Sequence, residues 1–234
     1  MNNTTIIYNA RKLDLNALPR VDAHLHTSWT DGEPSVEQVY EKAQELGLIA
    51  ILYSEHSRKS SADWFSDFAE QVRALPTSSC QAYVGTEVKI ETLEGEIDTT
   101  SEISDLCDLI MASVHRFPDG MGGAVPFDDV NTDEAIEREY ALSWAALANP
   151  KVDILGHMFG MCYRRYKVIP PAEKIRALIE RAAETGVAIE VNSHYHSNPF
   201  QIIEWCKEFN ALITFGSNAH TLNEVGGILR DLKG

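Results

Sequence analysis

The stretch "SVEQVYEKAQELGLIAILYSEH" (residues 35–56) places a helical pattern directly before a buried-strand pattern. Its first part opens on Ser35, a residue type suited to N-capping, and stops at Gly47. Its second part, "LIAILYSEH" (48–56), is a short apolar run with the length of a strand covered on both faces. Six further runs of this kind occur: "VDAHLH" (21–26), "QAYVGTE" (81–87), "DLIMASVH" (108–115), "VDILGH" (152–157), "VAIEVN" (187–192) and "ALITFGSNAH" (211–220). Helical patterns separate most of them: "SADWFSDFAEQVRAL" (61–75), "DEAIEREYALSWAALA" (133–148), "PAEKIRALIERAAETG" (171–186) and "PFQIIEWCKEF" (199–209). Residues 89–106 read as a loop plus a short helix, and 224–232 carry only a weak helical pattern. Strand-helix alternation along the whole chain predicts a parallel α/β fold. Seven units with no linker, repeat or low-complexity segment favour a closed or nearly closed barrel, TIM-barrel-like, in one domain over 1–234.

The 234 residues carry 44% hydrophobic and 24% charged side chains, the profile of an ordinary globular protein. A formal charge of −15 argues against a long nucleic-acid backbone or an anionic membrane as partner. The N-terminal "MNNTTIIYNARKLDL" has no apolar core of signal-peptide length. Cys80, Cys107, Cys162 and Cys206 show no CxxC pairing, so a reducing, cytoplasmic setting is expected. The longest irregular stretch, "RFPDGMGGAVPFDDVNT" (116–132), has the length of a functional loop.

The histidines fall at the ends of these runs. His24 and His26 close the first, His56 the second, His115 the fourth, His157 the fifth and His220 the seventh, while Glu87 closes the third. Residues two apart on a strand face the same way, so His24 and His26 present two imidazoles to one side. In parallel α/β barrels the strand C-termini form the active-site face. Imidazoles and a carboxylate gathered there make a nitrogen- and oxygen-rich metal site suited to Zn, Fe or Mn.

The ordered motifs "DAHLHTSWTDG", "SEH", "GTE", "SVH", "GH" and "SNAH" resemble the polymerase and histidinol phosphatase (PHP) family of metal-dependent phosphoesterases, from Val21 to about Gly227. The resemblance implies a distorted (β/α)7 barrel carrying two or three divalent ions (Zn, Mn or Fe). It implies one ion held by His24, His26, Glu87 and residue 218, and a second by Glu87, His115 and His157. A third would take Asp31, His56 and His220. Where the family usually has "SDAH", this chain has "SNAH". Asn218 is neutral, binds a cation only through its carbonyl oxygen and cannot take a proton.

A metal-bridging hydroxide is the nucleophile this reading implies for a phosphate ester. Glu87, Arg116, His194 and Asn218 are the candidate catalytic residues. Arg58, Arg116, Arg164, Arg165 and His196 are the candidate substrate contacts, because Arg matches phosphate bidentately. The predicted activity is hydrolysis of a small phosphorylated metabolite, histidinol phosphate first among them. The alternatives are an amidohydrolase or lactonase, and a metal-binding barrel weakened by Asn218.

Overall fold

The computed structural model describes residues 6–77 and 79–232. Its strands are β1 (Tyr8–Asn9), β2 (Val21–Leu25), β3 (Ala50–His56), β4 (Gln81–Lys89), β5 (Leu109–Ser113), β6 (Ile154–Leu155), β7 (Ala188–Asn192) and β8 (Leu212–Gly216). The helices are α1 (Val36–Glu45), α2 (Ala62–Arg73), α3 (Ser101–Leu106), α4 (Thr132–Ala146), α5 (Ala172–Thr185), α6 (Pro199–Phe209) and α7 (Gly227–Asp231). Ser35 caps α1 through a reciprocal bond with Gln38, and Gly186 closes α5 in the left-handed region at φ 79°.

Strands β2 to β8 fall on the seven apolar runs, and each pairs in parallel with the next. All residues of β2, β5 and β7 are buried, as continuous apolar runs covered on both faces require. The sheet curls until β2 returns to the chain just beyond β8, where the backbone of Ala219 bonds to His24 and His26 at 3.1 and 2.9 Å. Lower down, the free edge of β8 is taken by β1, antiparallel, with Tyr8 opposite Ile213. The fold is thus a distorted (β/α)7 barrel that closes only at its C-terminal mouth. Strand β1 is absent from the sequence reading because two residues carry no periodicity.

Asp22 clasps this closure. Its buried carboxylate accepts the Ser217 and Gly226 N–H groups at 2.9 and 2.8 Å, and burial pushes its pKa up to about 6. A second buried carboxylate, Glu139 on α4, accepts the N–H groups of Met161 and Cys162 at 3.1 and 2.9 Å. It thereby anchors a wide helical turn over Cys162–Tyr166. "YRRYK" (163–167) reads as a loop in sequence. The difference arises because the turn is held by a side chain remote in sequence. The four cysteines are thiols, outside any disulfide, and among the described residues no helix is long and apolar enough to cross a membrane.

Asp22→Ala leaves two N–H groups without their acceptor, and we expect a loss of about 3 kcal/mol in urea denaturation. Burial raises the Glu139 carboxyl to about 7. A raised carboxyl favours the protonated fold, so its contribution is full below the unfolded value near ~4.3 and is lost as pH rises through the folded value. Metal-free protein should therefore lose roughly 3 kcal/mol between about pH 4.5 and 7.5 from this group, and Glu139→Gln should flatten that slope in urea melts.

Candidate metal centre

Strand β4 ends by sending Glu87 into the mouth, where it is 1% exposed. Its Oε1 faces His157 Nε2 at 2.7 Å and His115 Nε2 at 3.1 Å. Its Oε2 faces His24 Nε2 and His56 Nδ1, each at 3.2 Å, and His26 Nε2 at 3.7 Å. A second carboxylate, Asp31, lies 3.3 Å from His220 Nε2 and 3.6 Å from His56 Nε2. The His26 ring sits between those of His56 and His220, with centroids 4.4 Å away on each side. Asn218 Oδ1 is 3.0 Å from His26 Nε2. Every residue expected to hold metal is therefore drawn to one mouth.

Three sets have the proximity needed to share an ion: His24, His26 and Glu87; His56, Glu87 and His115; and His26, Asp31, His56 and His220. They differ from the implied division in that His26 and His56 each belong to two sets, while His157 joins through Glu87. The donors suit a divalent cation. His24 Nε2, His26 Nδ1 and Glu87 Oε2 are buried with no hydrogen-bond partner, an arrangement that native interiors avoid unless a ligand takes it up. Burial holds His26 well below its ordinary pKa, so the ring is neutral with a lone pair to give. Burial acts to raise Glu87, but the surrounding imidazoles, led by His24, outweigh it and keep the carboxylate ionised. A hydrogen bond from His220 does the same for Asp31.

A further layer orients these ligands. Glu190, buried on β7, accepts from His24 Nδ1 at 2.8 Å and from the His157 backbone N–H. It fixes the His24 tautomer with Nε2 toward Glu87. Strand β8 runs between the two strands that carry this pair. A Cβ at Gly216 would strike the Glu190 carboxylate and come within 2.7 Å of His24 Cβ, so only glycine fits. Glu55, raised to about 7 by burial, accepts from the Thr27 N–H and the Thr30 hydroxyl and so holds the loop carrying Asp31. Glu190 was missed in the sequence, although an acid in the middle of "VAIEVN" is its signal. Tyr195 was missed as well: its ring stacks on His157 at 4.3 Å, and its hydroxyl accepts from Asn218 Nδ2 at 3.1 Å.

The proposed substrate contacts are more dispersed. Arg164 donates to the His194 carbonyl at 3.4 Å and lies 6.0 Å from the centre of the Tyr195 ring. His194 is exposed, and its ring meets that of Tyr195 edge-on. Arg116 is exposed on the wall of a cavity of about 500 Å³ that also presents Lys89, Glu91 and Glu94. Arg58 is exposed, and Arg165 lies over the Phe127 ring at 3.7 Å. His196 differs from the expectation. It is buried, with Nε2 on the Met158 carbonyl at 3.0 Å and Nδ1 accepting from the Asn192 N–H at 3.3 Å. Both ring nitrogens serve the backbone, leaving none for a substrate.

The PHP domain family description matches residues 22–194. The chain belongs to the PHP domain family. It is 28% identical over 224 residues to a probable phosphatase of Thermoanaerobacter sp. (strain X514), covering 91% of this chain and 84% of that one. It is 27% identical over 226 residues to a probable phosphatase of Shewanella sp. (strain ANA-3), covering 91% and 81%. Among solved structures it resembles the histidinol phosphate phosphatase of Lactococcus lactis, which was crystallised with zinc, L-histidinol and phosphate. The TM-score is 0.67 at 18% identity, covering 91% of this PHP chain and 92% of that protein. At that identity the likeness carries the fold.

Because Glu190 holds His24 and belongs to none of the three donor sets, Glu190→Gln should weaken metal binding about 10- to 100-fold with the fold intact. Titration of Zn or Mn against a competing chelator, alongside circular dichroism, reads both effects.

Proposed function

We propose that this chain is a metal-dependent phosphomonoesterase acting on a small phosphorylated metabolite, with histidinol phosphate as the first substrate to try. The observation that carries it is the convergence of five imidazoles on the two oxygens of Glu87, beside a second set built on Asp31 and His220. This donor array suits two or three divalent ions of the Zn, Mn or Fe class. Such ions lower the pKa of bound water and polarise phosphoryl oxygens when present. Nine ligands are proposed: His24, His26, Asp31, His56, Glu87, His115, His157, Asn218 and His220.

The chain's own groups supply the remainder. Glu87 joins two of the donor sets through its two oxygens. Arg164, beside His194 and Tyr195, offers a guanidinium to the phosphate oxygens. Arg116 opens onto the cavity proposed to take the rest of the substrate, where Glu94 offers a carboxylate to a cationic amine while Glu91 is paired with Lys59 and Lys89. His194 stands exposed at the same mouth, where it contacts the leaving group. Local cations thus receive a small anion that the overall charge of −15 would otherwise repel. The same charge disfavours nucleic acid and anionic membranes as partners, and the four unbridged cysteines suit a reducing, cytoplasmic setting.

The test is phosphate release from histidinol phosphate, a sugar phosphate and a nucleoside monophosphate, with Mn or Zn added. We expect turnover of at least one ester, abolished by chelation and lowered more than about hundredfold by Glu87→Gln. At saturating substrate Asn218→Asp should alter kcat by no more than about tenfold, roughly 1.4 kcal/mol of barrier, with any loss of phosphate affinity appearing in KM. Hydrolysis of lactones or amides with no phosphate released from any ester would overturn the reading.

A further inference from the structure

Tyr195 lies on the turn after β7, and its ring is held in place from several sides. It stacks on His157 at 4.3 Å and 24°, with the Arg164 guanidinium 6.0 Å from its centre. Gly160 leaves room for the stack: a Cβ there would come within 2.6 Å of His157 Nδ1 and 3.1 Å of Tyr195 Cδ1. The hydroxyl is thereby carried to the Asn218 side chain at the edge of the metal ligands.

The polarity of the Asn218 amide decides what that hydroxyl can do. Its oxygen faces His26 Nε2 at 3.0 Å, the side on which His24, His26 and Glu87 would share a cation, and only an oxygen lone pair suits that side. Its NH2 group must therefore face outward, where it donates to Tyr195 Oη at 3.1 Å. The backbone at 218 is held as well, in the left-handed region at φ 49°, with His220 Nδ1–H donating to its carbonyl at 3.0 Å. A tyrosine hydroxyl has one proton to donate and two lone pairs to accept with. Here an accepting position is filled, and among the described residues the proton has no acceptor. A carboxylate at 218 accepts only, so it would reverse the bond and accept from the Tyr195 hydroxyl.

We propose that Tyr195 is a further catalytic residue, whose hydroxyl donates a hydrogen bond to a phosphoryl oxygen of the substrate and is freed for this by Asn218. The proposal rests on the phosphoesterase reading above. On this account Asn218 both supplies a carbonyl ligand and sets the direction of the bond that leaves Tyr195 free to donate. No proton is transferred. The hydroxyl acts as a fixed dipole aimed at oxygens that carry charge throughout the reaction.

The test is a double-mutant cycle on metal-loaded protein, read first by calorimetric binding of inorganic phosphate and then by kcat and KM on whichever ester turns over. Tyr195→Phe keeps the ring and its stack while removing the hydroxyl. In the native background it should weaken phosphate binding about 10- to 100-fold, the scale of a hydrogen bond to a charged acceptor. With Asn218→Asp also present, the hydroxyl is already occupied, and the same change should matter less than about threefold. Within each background Tyr195→Phe should leave metal content and melting temperature unchanged. An equal effect of Tyr195→Phe in both backgrounds, or no effect in either, overturns the proposal. Ester turnover indifferent to Tyr195 removes this proposal and leaves the phosphoesterase standing. Tyr195-dependent phosphate binding without turnover of any ester overturns the phosphoesterase reading, and the catalytic role with it, and leaves Tyr195 as an anion ligand. Absence of phosphate binding by the native protein counts against both.

Discussion

The carboxylate of Glu87 is the constraint on which the rest of the molecule depends. An ionised carboxylate removed from water costs several kcal/mol unless partners surround it. Here the partners are imidazoles from β2, β3 and the segments after β5 and β6. In a flat sheet β2 and β6 stand four steps apart, about 19 Å at the usual strand spacing. Yet the rings of His24 and His157 stack with centroids 5.6 Å apart. Only a sheet curled into a barrel can do this, and the backbone pairing between β2 and Ala219 at the mouth holds it curled. Site and fold are therefore one requirement.

Part of the acidic surplus lies inside the protein. Asp22, Glu55, Glu139 and Glu190 are all buried, and each accepts at least one backbone N–H. The segments they hold are irregular pieces around the mouth: the chain after β8, the first loop, the turn before Arg164 and the step at His157. Loops at a barrel mouth have no ladder to fix them, and a buried carboxylate with two acceptor oxygens can take that part. Desolvation costs enough that raised pKa values result for Asp22, Glu55 and Glu139. Glu190 is the exception: burial acts to raise it, but His24 draws it down to about 2.

What could be read from the sequence follows from which features are local. The seven parallel strands were legible because each is an unbroken apolar run, and their histidines because they mark strand ends that a barrel brings together. β1 was not legible, being two residues that gain meaning only against β8. Nor was the turn at Cys162–Tyr166, which depends on Glu139 more than twenty residues earlier. His194 and His196 share the spacing of His24 and His26, but their outcomes diverge. His196 turns inward to satisfy Asn192 and Met158, whereas His194 stays at the surface. Spacing states which residues share a side. The packing on that side decides whether a ring nitrogen is left over.

Position 218 shows how one atom redistributes function in such a site. The cluster sets two carboxylates, Glu87 and Asp31, among six imidazoles. An Asp at 218 would add a third negative charge, tighten the hold on a cation and lower the positive potential offered to an anion. The amide would do the opposite: it would hold a cation through a dipole only and leave a filled site more positive toward an anion. It also turns its N–H groups outward, onto Tyr195. On the proposed assignment, weaker metal retention and stronger anion attraction would be two consequences of the same substitution of nitrogen for oxygen. His24, held by Glu190, and Glu87, held by the closure of the barrel, are the buried donors that would let a weaker donor at 218 be tolerated.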